Sequence, residues 1–317
     1  MGASVPPAGA LTVPRLFTLD TVMVDVVLVI DALPSRGGDA VASRHLVGAG
    51  GGFNVMSAAA RQGMAVVYAG QVGTGPFADI VYAALAGEGV VTPIAGDREH
   101  DAGLCVVLVD RDGERTFATA PGAETLLDRG ALDGLDVVAG DYVFLSGYSL
   151  VYERIGTSVT RWVVDLDDDV IVSFDPGPRV ADIRPSWRTA VLERTDWLLT
   201  NAAEARAIAP RATLDESLAV LTGMTGRRGV VVHDGAAGCV VACRGEAPWR
   251  VAPFATHVVD TNGAGDVHDG VFLAALAGGV EPVVAARWAN AAASIAISRV
   301  GPATCPTRDE IRALVAG

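Results

Sequence analysis

The segment Asp260-Thr261-Asn262-Gly263-Ala264-Gly265-Asp266 sets small residues and a carboxylate directly ahead of an apolar helical stretch, 267–277. A glycine-rich turn at a helix N-terminus points several backbone N–H groups outward, where the helix dipole adds partial positive charge and the small side chains let a phosphate come close. Gly263, Ala264 and Gly265 are therefore candidates for an anion cradle. Asp266 then stands where its carboxylate can take the proton of an alcohol whose oxygen attacks phosphorus. By residue type alone it is equally a helix N-cap.

Gly50-Gly51-Gly52-Phe53-Asn54 opens a second helical stretch, 55–62, that ends at Gly63. Its glycines permit close backbone approach, and Asn54 offers a donor and an acceptor to a polyol, although a plain tight turn has the same composition. Asp25 interrupts an apolar strand, and a carboxylate there needs a partner, either a pair of sugar hydroxyls or a buried Arg. Asn201-Ala202-Ala203-Glu204 follows the strand-like run 197–200. Glu204 can hold Mg²⁺ or its waters at a strand end, while Asn with Glu three residues on is also a capping box. His233-Asp234-Gly235-Ala236-Ala237-Gly238 reads as a hairpin turn.

Rival chemistries fare poorly. No GxxxxGK[ST] run exists. Gly73-Thr74-Gly75-Pro76-Phe77-Ala78 fits a dinucleotide-binding GxGxxA, but Pro76 removes an N–H from the turn. The five histidines form no HxxH or HxxxH pair, and Cys239 and Cys243, on one strand face, have no nearby partner to complete a zinc set.

The elements that must hold these residues alternate as short apolar strands and helices: 65–70, a helix near 76–87, 142–147, a helix near 153–166, 170–174, 197–200, helices from 202 and near 213–225, then 230–233. That is the βαβ rhythm of a covered parallel sheet, closed by two long helices. Residues 267–277 are apolar on nearly every face and belong in the core. Residues 22–47 and 103–120 lack long helices and read as antiparallel strands, the second pair turning at Asp110-Arg111-Asp112-Gly113. They suggest a small β appendage.

Composition bounds the rest. With 317 residues, 50% hydrophobic and 19% charged, the chain can bury a sizeable core and is neither disordered nor fibrous. The apolar run 22–30 falls far short of the ~20 residues of a membrane helix, so a soluble protein is expected. The formal charge of −13 and the lack of a dense Lys/Arg run argue against nucleic acid. Four scattered cysteines fit a reducing cytoplasm. Residues 1–14 lack Lys and Arg and read as a loose tail.

Taken together, these segments resemble the ribokinase-like (PfkB) carbohydrate kinase family, whose signatures are a GG-x-N helix start and a D-T-x-GAGD near the C-terminus. The resemblance runs over residues 15–314 and includes FDPGPR at 174–179, the NxxE at 201–204 and the stretch 289–307. It implies a three-layer α/β/α fold with a mainly parallel sheet and a small β lid, one kinase domain over 15–317 with the lid contributed by about 22–47 and 103–120. It implies Asp266 as general base with the amides of Gly263, Ala264 and Gly265 on the transferred group, and Asp25, Gly51, Gly52 and Asn54 on the sugar hydroxyls. Asn201 and Glu204 would serve Mg²⁺ and phosphate, Glu204 through water. Gly235, Gly238 and Asn290 would serve ATP, Asn290 at the adenine edge. The loop at Asp260 contributes in several relatives to a monovalent cation site, K⁺ being the candidate.

The sequence also departs from the pattern. Asp20 stands where Gly is usual, His268 where an aromatic residue is common, and Asn262 where Thr is usual. Asp269 reads as a first-turn acid favoured by the helix dipole, and His268 as either packing or a hydrogen bond near substrate. The expected activity is ATP-dependent phosphorylation of a hydroxymethyl group on a sugar or sugar-like molecule. Two alternatives stand: a nucleoside kinase, for which the lid offers only Phe117 and Phe53 as aromatics, and a catalytically silent sugar-binding regulator. A phosphosugar acceptor would need convergent arginines, with Arg36, Arg44, Arg98 and Arg115 in the right region. The apolar strand at 22–30 would be covered by a second copy, giving a homodimer through the lid, or its outer face would pack on the chain's own core without a partner.

Overall fold

The computed structural model describes residues 13–225, 227–301 and 303–316; the first twelve residues of the expected tail lie outside it. Its strands and helices run in the order β1 (Arg15–Leu19), β2 (Val22–Val29), β3 (Arg44–Gly51), α1 (Phe53–Arg61), β4 (Ala65–Tyr68), α2 (Pro76–Gly87), β5 (Leu104–Val109), β6 (Arg115–Ala120), α3 (Arg129–Asp133), β7 (Tyr142–Ser146), α4 (Glu153–Val164) and β8 (Ile171–Asp175). They continue with α5 (Pro185–Arg194), β9 (Trp197–Asn201), α6 (Ala202–Ile208), α7 (Leu214–Thr225), β10 (Gly229–His233), β11 (Cys239–Cys243), β12 (Trp249–Val251), α8 (Ala264–Ala277), α9 (Pro282–Ala296) and α10 (Arg308–Ala316).

The main sheet has eight strands in the order β12-β11-β10-β9-β8-β7-β1-β4. Six of them, β10 through β4, are parallel, and β11 and β12 turn back antiparallel. Its central strands are apolar on both faces because helices cover both. Residues of α1, α2, α8, α9 and α10 build one core, including Met56, Val81, Phe272, Ala289 and Ile311. Residues of α3 to α7 build the other, including Leu132, Val159, Val191, Ala205 and Leu218. The expected α/β/α layering is this one. Helix α8 is buried from Val267 to Ala275, as its all-round apolar sequence demands. The nine-residue helix α10 packs on that layer after α8 and α9, so the two long helices do not close the chain as expected.

The expected β appendage is a second sheet of four strands, in the order β3-β2-β5-β6. Its two hairpins, β2/β3 and β5/β6, are antiparallel, and β2 pairs with β5 in parallel. The apolar strand β2 is thus an inner strand, not a free edge, and β3 and β6 carry the edges. One face, with Met23, Asp25, Cys105, Phe117 and Thr119, looks into a cavity against the main domain. Gly113 turns the second hairpin at φ +81°.

The GTGPFA turn has a structural occupation. Asp101 accepts from the N–H groups of Phe77 at 3.2 Å and Ala78 at 2.7 Å, so a carboxylate of the chain itself fills the position that a dinucleotide phosphate would need.

Candidate active site

Every parallel strand from β1 to β10 that reaches the centre of the sheet ends in a polar residue on one side: Asp20 just after β1, Ser146 on β7, Asp175 on β8, Asn201 on β9 and His233 on β10. These carboxyl ends are where open α/β sheets bind ligands. Together with the Gly263–Asp266 turn they line a cavity of about 270 Å³. A second cavity of about 360 Å³ lies under the four-stranded sheet, and a third of about 660 Å³ lies beside the hairpin after β10.

Asp266 borders both the first and the second cavity. It sits in the first turn of α8, behind Gly263, whose left-handed φ of +70° makes the sharp entry into the helix. Ala264 and Gly265 border both the first and the third cavity. The N–H of Ala264 bends back to the carbonyl of Thr261 at 3.3 Å. The remaining first-turn amides have no carbonyl of the helix to donate to and are the available anion donors. Oδ2 of Asp266 accepts from Nδ2 of Asn54 at 3.0 Å. Partial burial pushes the Asp266 carboxyl up from its ordinary value, and the Asn54 hydrogen bond pulls the other way.

Of the residues expected at the acceptor, Asp25, Gly51 and Asn54 line the second cavity and Gly52 does not. Gly52 lies underneath, where any Cβ would meet Cβ of Asp20 at 2.5 Å, so its role is close packing. Burial, and then the charge of Asp266, raise Asp25 to about 6, and nothing around it acts in the opposite sense. A ligand hydroxyl would supply the missing donor. Phe53 of the lid reading is wrong in place: it is 5% exposed in the core and borders none of these three cavities. The aromatic wall comes instead from Phe117, Tyr148 and Tyr152, with Arg179 beside them. Neither tyrosine was singled out by sequence, since the loop after β7 carries no motif.

Asn201 and Glu204 line the first cavity, and they also form the capping box of α6. Oδ1 of Asn201 accepts from the amides of Ala203 and Glu204, and Oε2 of Glu204 accepts from Asn201 N at 3.0 Å and from the Thr200 hydroxyl at 3.2 Å. The capping-box reading of this motif holds, and Oε1 of Glu204 accepts none of these hydrogen bonds. Gly235 and Gly238 border the third cavity, at φ +54° and +89°. Asn290 borders it too, but its Nδ2 donates to the carbonyls of Val251 and Ala252, both at 3.1 Å, so its amide nitrogen is committed to holding the chain after β12. Asp260 is paired with Arg115 and accepts from Asn262 N at 2.9 Å. The carboxylate expected to hold a monovalent cation thus already carries a guanidinium.

Acidic residues missed or underrated by sequence surround the turn. Asp20, 4% exposed, accepts from Ser146 Oγ and from Thr21 N, and burial raises it to about 7 against those hydrogen bonds. Asp175 is pushed well up by burial and by Asp269, and Asp269 by burial and by Asp266 and Glu204. Asp269 is fully buried and lies beyond the first turn of α8, which corrects its reading as a first-turn acid favoured by the helix dipole. His268 is 3% exposed, stacked on Phe272 and against His233. Burial holds His233 down to about 4 and pushes His268 well below the ordinary histidine value.

A carboxylate between a cavity that carries Asp25 and Asn54 and a glycine-rich helix start suits phosphoryl transfer to an alcohol. Comparison with known proteins agrees. The family model of pfkB family carbohydrate kinases matches residues 13–309. An uncharacterized sugar kinase of Escherichia coli (strain K12), YegV, is 33% identical over 313 residues, covering 94% of this chain and 95% of its own. The ribokinase of Bacillus subtilis (strain 168) is 27% identical over 294 residues, covering 92% and 96%. The ribokinase of Arabidopsis thaliana, solved with ribose and ATP, superposes with a TM-score of 0.79 at 23% identity, over 96% of this chain and all of its own, and shares the fold. The chain belongs to the pfkB family of carbohydrate kinases, with a ribokinase-like fold.

Proposed function

We propose that the protein transfers the γ-phosphoryl group of ATP to a hydroxymethyl group of a sugar or sugar-like molecule, with Asp266 as general base. The observation that carries this reading is the position of Asp266, which borders the cavity under the four-stranded sheet and the one lined by the anion-binding turn. An acceptor hydroxyl held by Asp25 and the Gly51 backbone would lie on one side of the carboxylate, and the transferred group on the other. Asp266 takes the hydroxyl proton as the oxygen attacks phosphorus, and the free amides of the 263–266 turn stabilise the charge on the phosphoryl oxygens. The nucleotide base and ribose would occupy the third cavity, beside Gly235, Gly238 and Asn290.

The half-satisfied Glu204 carboxylate, with Asp20 and Asp175 in the same cavity, suits Mg²⁺ and its waters. Mg²⁺ supplies charge compensation for the triphosphate. K⁺ at Asp260 is disfavoured by Arg115, which brings a positive charge to the same carboxylate.

The four-stranded sheet serves as a lid that closes to exclude water, the competing acceptor. Its outer face carries Val26, Leu28, Val47, Val106 and Leu108 without full cover, Val47 being 52% exposed. A second copy covering this face gives a lid-mediated homodimer. Four free cysteines suit a reducing cytoplasm.

A second reading is a nucleoside acceptor, favoured by Phe117, Tyr148 and Tyr152 around the acceptor cavity, which can stack on a base. A phosphosugar is less well served. Arg115 is engaged by Asp260, and Arg179 is the arginine that lines the cavity. A screen of phosphate transfer from ATP to pentoses, hexoses, ketoses, phosphosugars and nucleosides separates these readings. Turnover with none of them, alongside tight sugar binding, would favour the silent regulator.

A further inference from the structure

Beneath the anion-binding turn lies a group of side chains that phosphoryl transfer does not use. His233 ends β10, while His268 and Asp269 sit in α8 just after the general base. Nε2 of His233 is 3.2 Å from Oδ1 of Asp269, and Nδ1 of His268 is 4.0 Å from the same oxygen. One ligand atom from each of the three lies within 4.8 Å of the others. His268 is 3% exposed and Asp269 is fully buried. Among the described residues, no hydrogen bond of normal geometry reaches either nitrogen of His268, either oxygen of Asp269 or Nε2 of His233; the 3.2 Å contact between His233 and Asp269 is an ion-pair approach, and Asp175 lies beside Asp269 as a further carboxyl.

Polar atoms without well-formed hydrogen bonds, gathered in one buried spot, are costly. The carboxylate of Asp269 also feels Asp266 and Glu204, so like charges gather where there is little water to separate them. Two imidazoles and a carboxylate converging on one point are the donor set of a first-row divalent ion. Mg²⁺ and Ca²⁺ prefer oxygen alone. The spacing of the ligand atoms admits an ion about 2.0–2.3 Å from each with small side-chain shifts. His233 borders two of the cavities, which gives an ion a route in. It also lies directly under the anion turn, since a Cβ on Gly265 would come 3.7 Å from its Nδ1.

We propose that His233, His268 and Asp269 bind one divalent transition-metal ion of the zinc class, separate from the nucleotide's Mg²⁺ at Glu204. The ion takes one nitrogen from each imidazole and one oxygen of Asp269, and sets positive charge beneath the turn that receives phosphate. No short histidine motif announces the site, because its two imidazoles are 35 positions apart (268 − 233) and only the meeting of β10 with α8 unites them.

The full chain, stripped by a chelator and returned to chelator-free buffer with millimolar Mg²⁺, is titrated with Zn²⁺ by calorimetry and with Co²⁺ by visible absorption. One ion per chain at micromolar or tighter affinity is expected, with the intense Co²⁺ bands of four-coordinate geometry. Proton NMR of the Co²⁺ form should show two exchangeable, paramagnetically shifted imidazole N–H signals, one per ligated histidine. Asp269→Asn and His268→Phe should each weaken Zn²⁺ binding by at least about 100-fold, beyond the loss typical of outer-shell changes. No micromolar binding in the presence of Mg²⁺, unchanged affinity in both variants, or a Co²⁺ form without imidazole signals would overturn the assignment. Because the last reading uses the unaltered chain, it decides the matter even where a variant fails to fold.

Discussion

Asn54 donates from Nδ2 to Oδ2 of Asp266 at 3.0 Å, tying the start of α1 to the start of α8 across 212 positions of sequence. Its Oδ1 accepts from the amide of Ala303 at 2.9 Å, so the side chain is fixed at both ends. Asn54 therefore fixes the proposed base as well as bordering the cavity under the four-stranded sheet, and the hydrogen bond also favours the ionised carboxylate.

Replacing Asn54 by Ala should lower kcat about tenfold, the equivalent of roughly 1.4 kcal/mol for a hydrogen bond to a charged group. Because that bond holds the Asp266 value down, its loss should also move the acid limb of the kcat profile to higher pH. A fall in kcat with an unmoved acid limb would leave Asn54 a purely structural role.

Asp25→Ala should cost on the order of 1–3 kcal/mol in kcat/KM for the acceptor, with KM for ATP unchanged, because only the acceptor cavity loses a charged partner. Steady-state kinetics in both substrates test this. Equal weakening of acceptor and ATP would point to a disturbed fold.

Asp20 makes stability depend on pH in a definite direction. Its folded value of about 7 lies above the ordinary 3.8, so its contribution is complete below about pH 4 and is lost as pH rises through 7. Asp20→Asn keeps an oxygen to accept from Ser146 and Thr21 but does not titrate. Relative to the variant, the wild-type chain should lose on the order of 4 kcal/mol of unfolding free energy between about pH 4 and 8. Parallel denaturation profiles across that range would remove Asp20 as the cause.

Light scattering over a tenfold dilution tests the lid-mediated dimer. A mass near twice 32.5 kDa is expected, and a charge on the outer face of the lid, Val47→Asp, should shift it toward the single chain. A wild-type mass that stays at 32.5 kDa with ligands present removes the dimer.

Much of the frame is written in local sequence. The parallel strands are continuous apolar runs, and α8 is apolar all round, because both are buried on every side. The turn at 263–266 declares itself by glycines next to a carboxylate. What stays hidden depends on contacts between distant segments. The parallel pairing of β2 with β5, which makes β2 an inner strand, joins hairpins separated by α1, β4 and α2. Asp269 lies inside the apolar stretch 267–277, and only the meeting of α8 with β10 shows which side chains it is buried against. Tyr148 and Tyr152 reach the acceptor cavity from a loop whose path the sheet order sets. Asp20, Ser146 and Asp175 could have been found by asking which polar residues end parallel strands.

The general base is the centre of this account, and Asp266→Asn tests it most directly. The amide keeps an oxygen for Asn54 and the shape of the helix start but cannot accept the acceptor's proton. With the best acceptor from the screen, kcat should fall by about 10²-fold or more, while ATP affinity by calorimetry and the circular dichroism spectrum stay unchanged. Turnover within threefold of the wild type would contradict the assignment of Asp266 as the base.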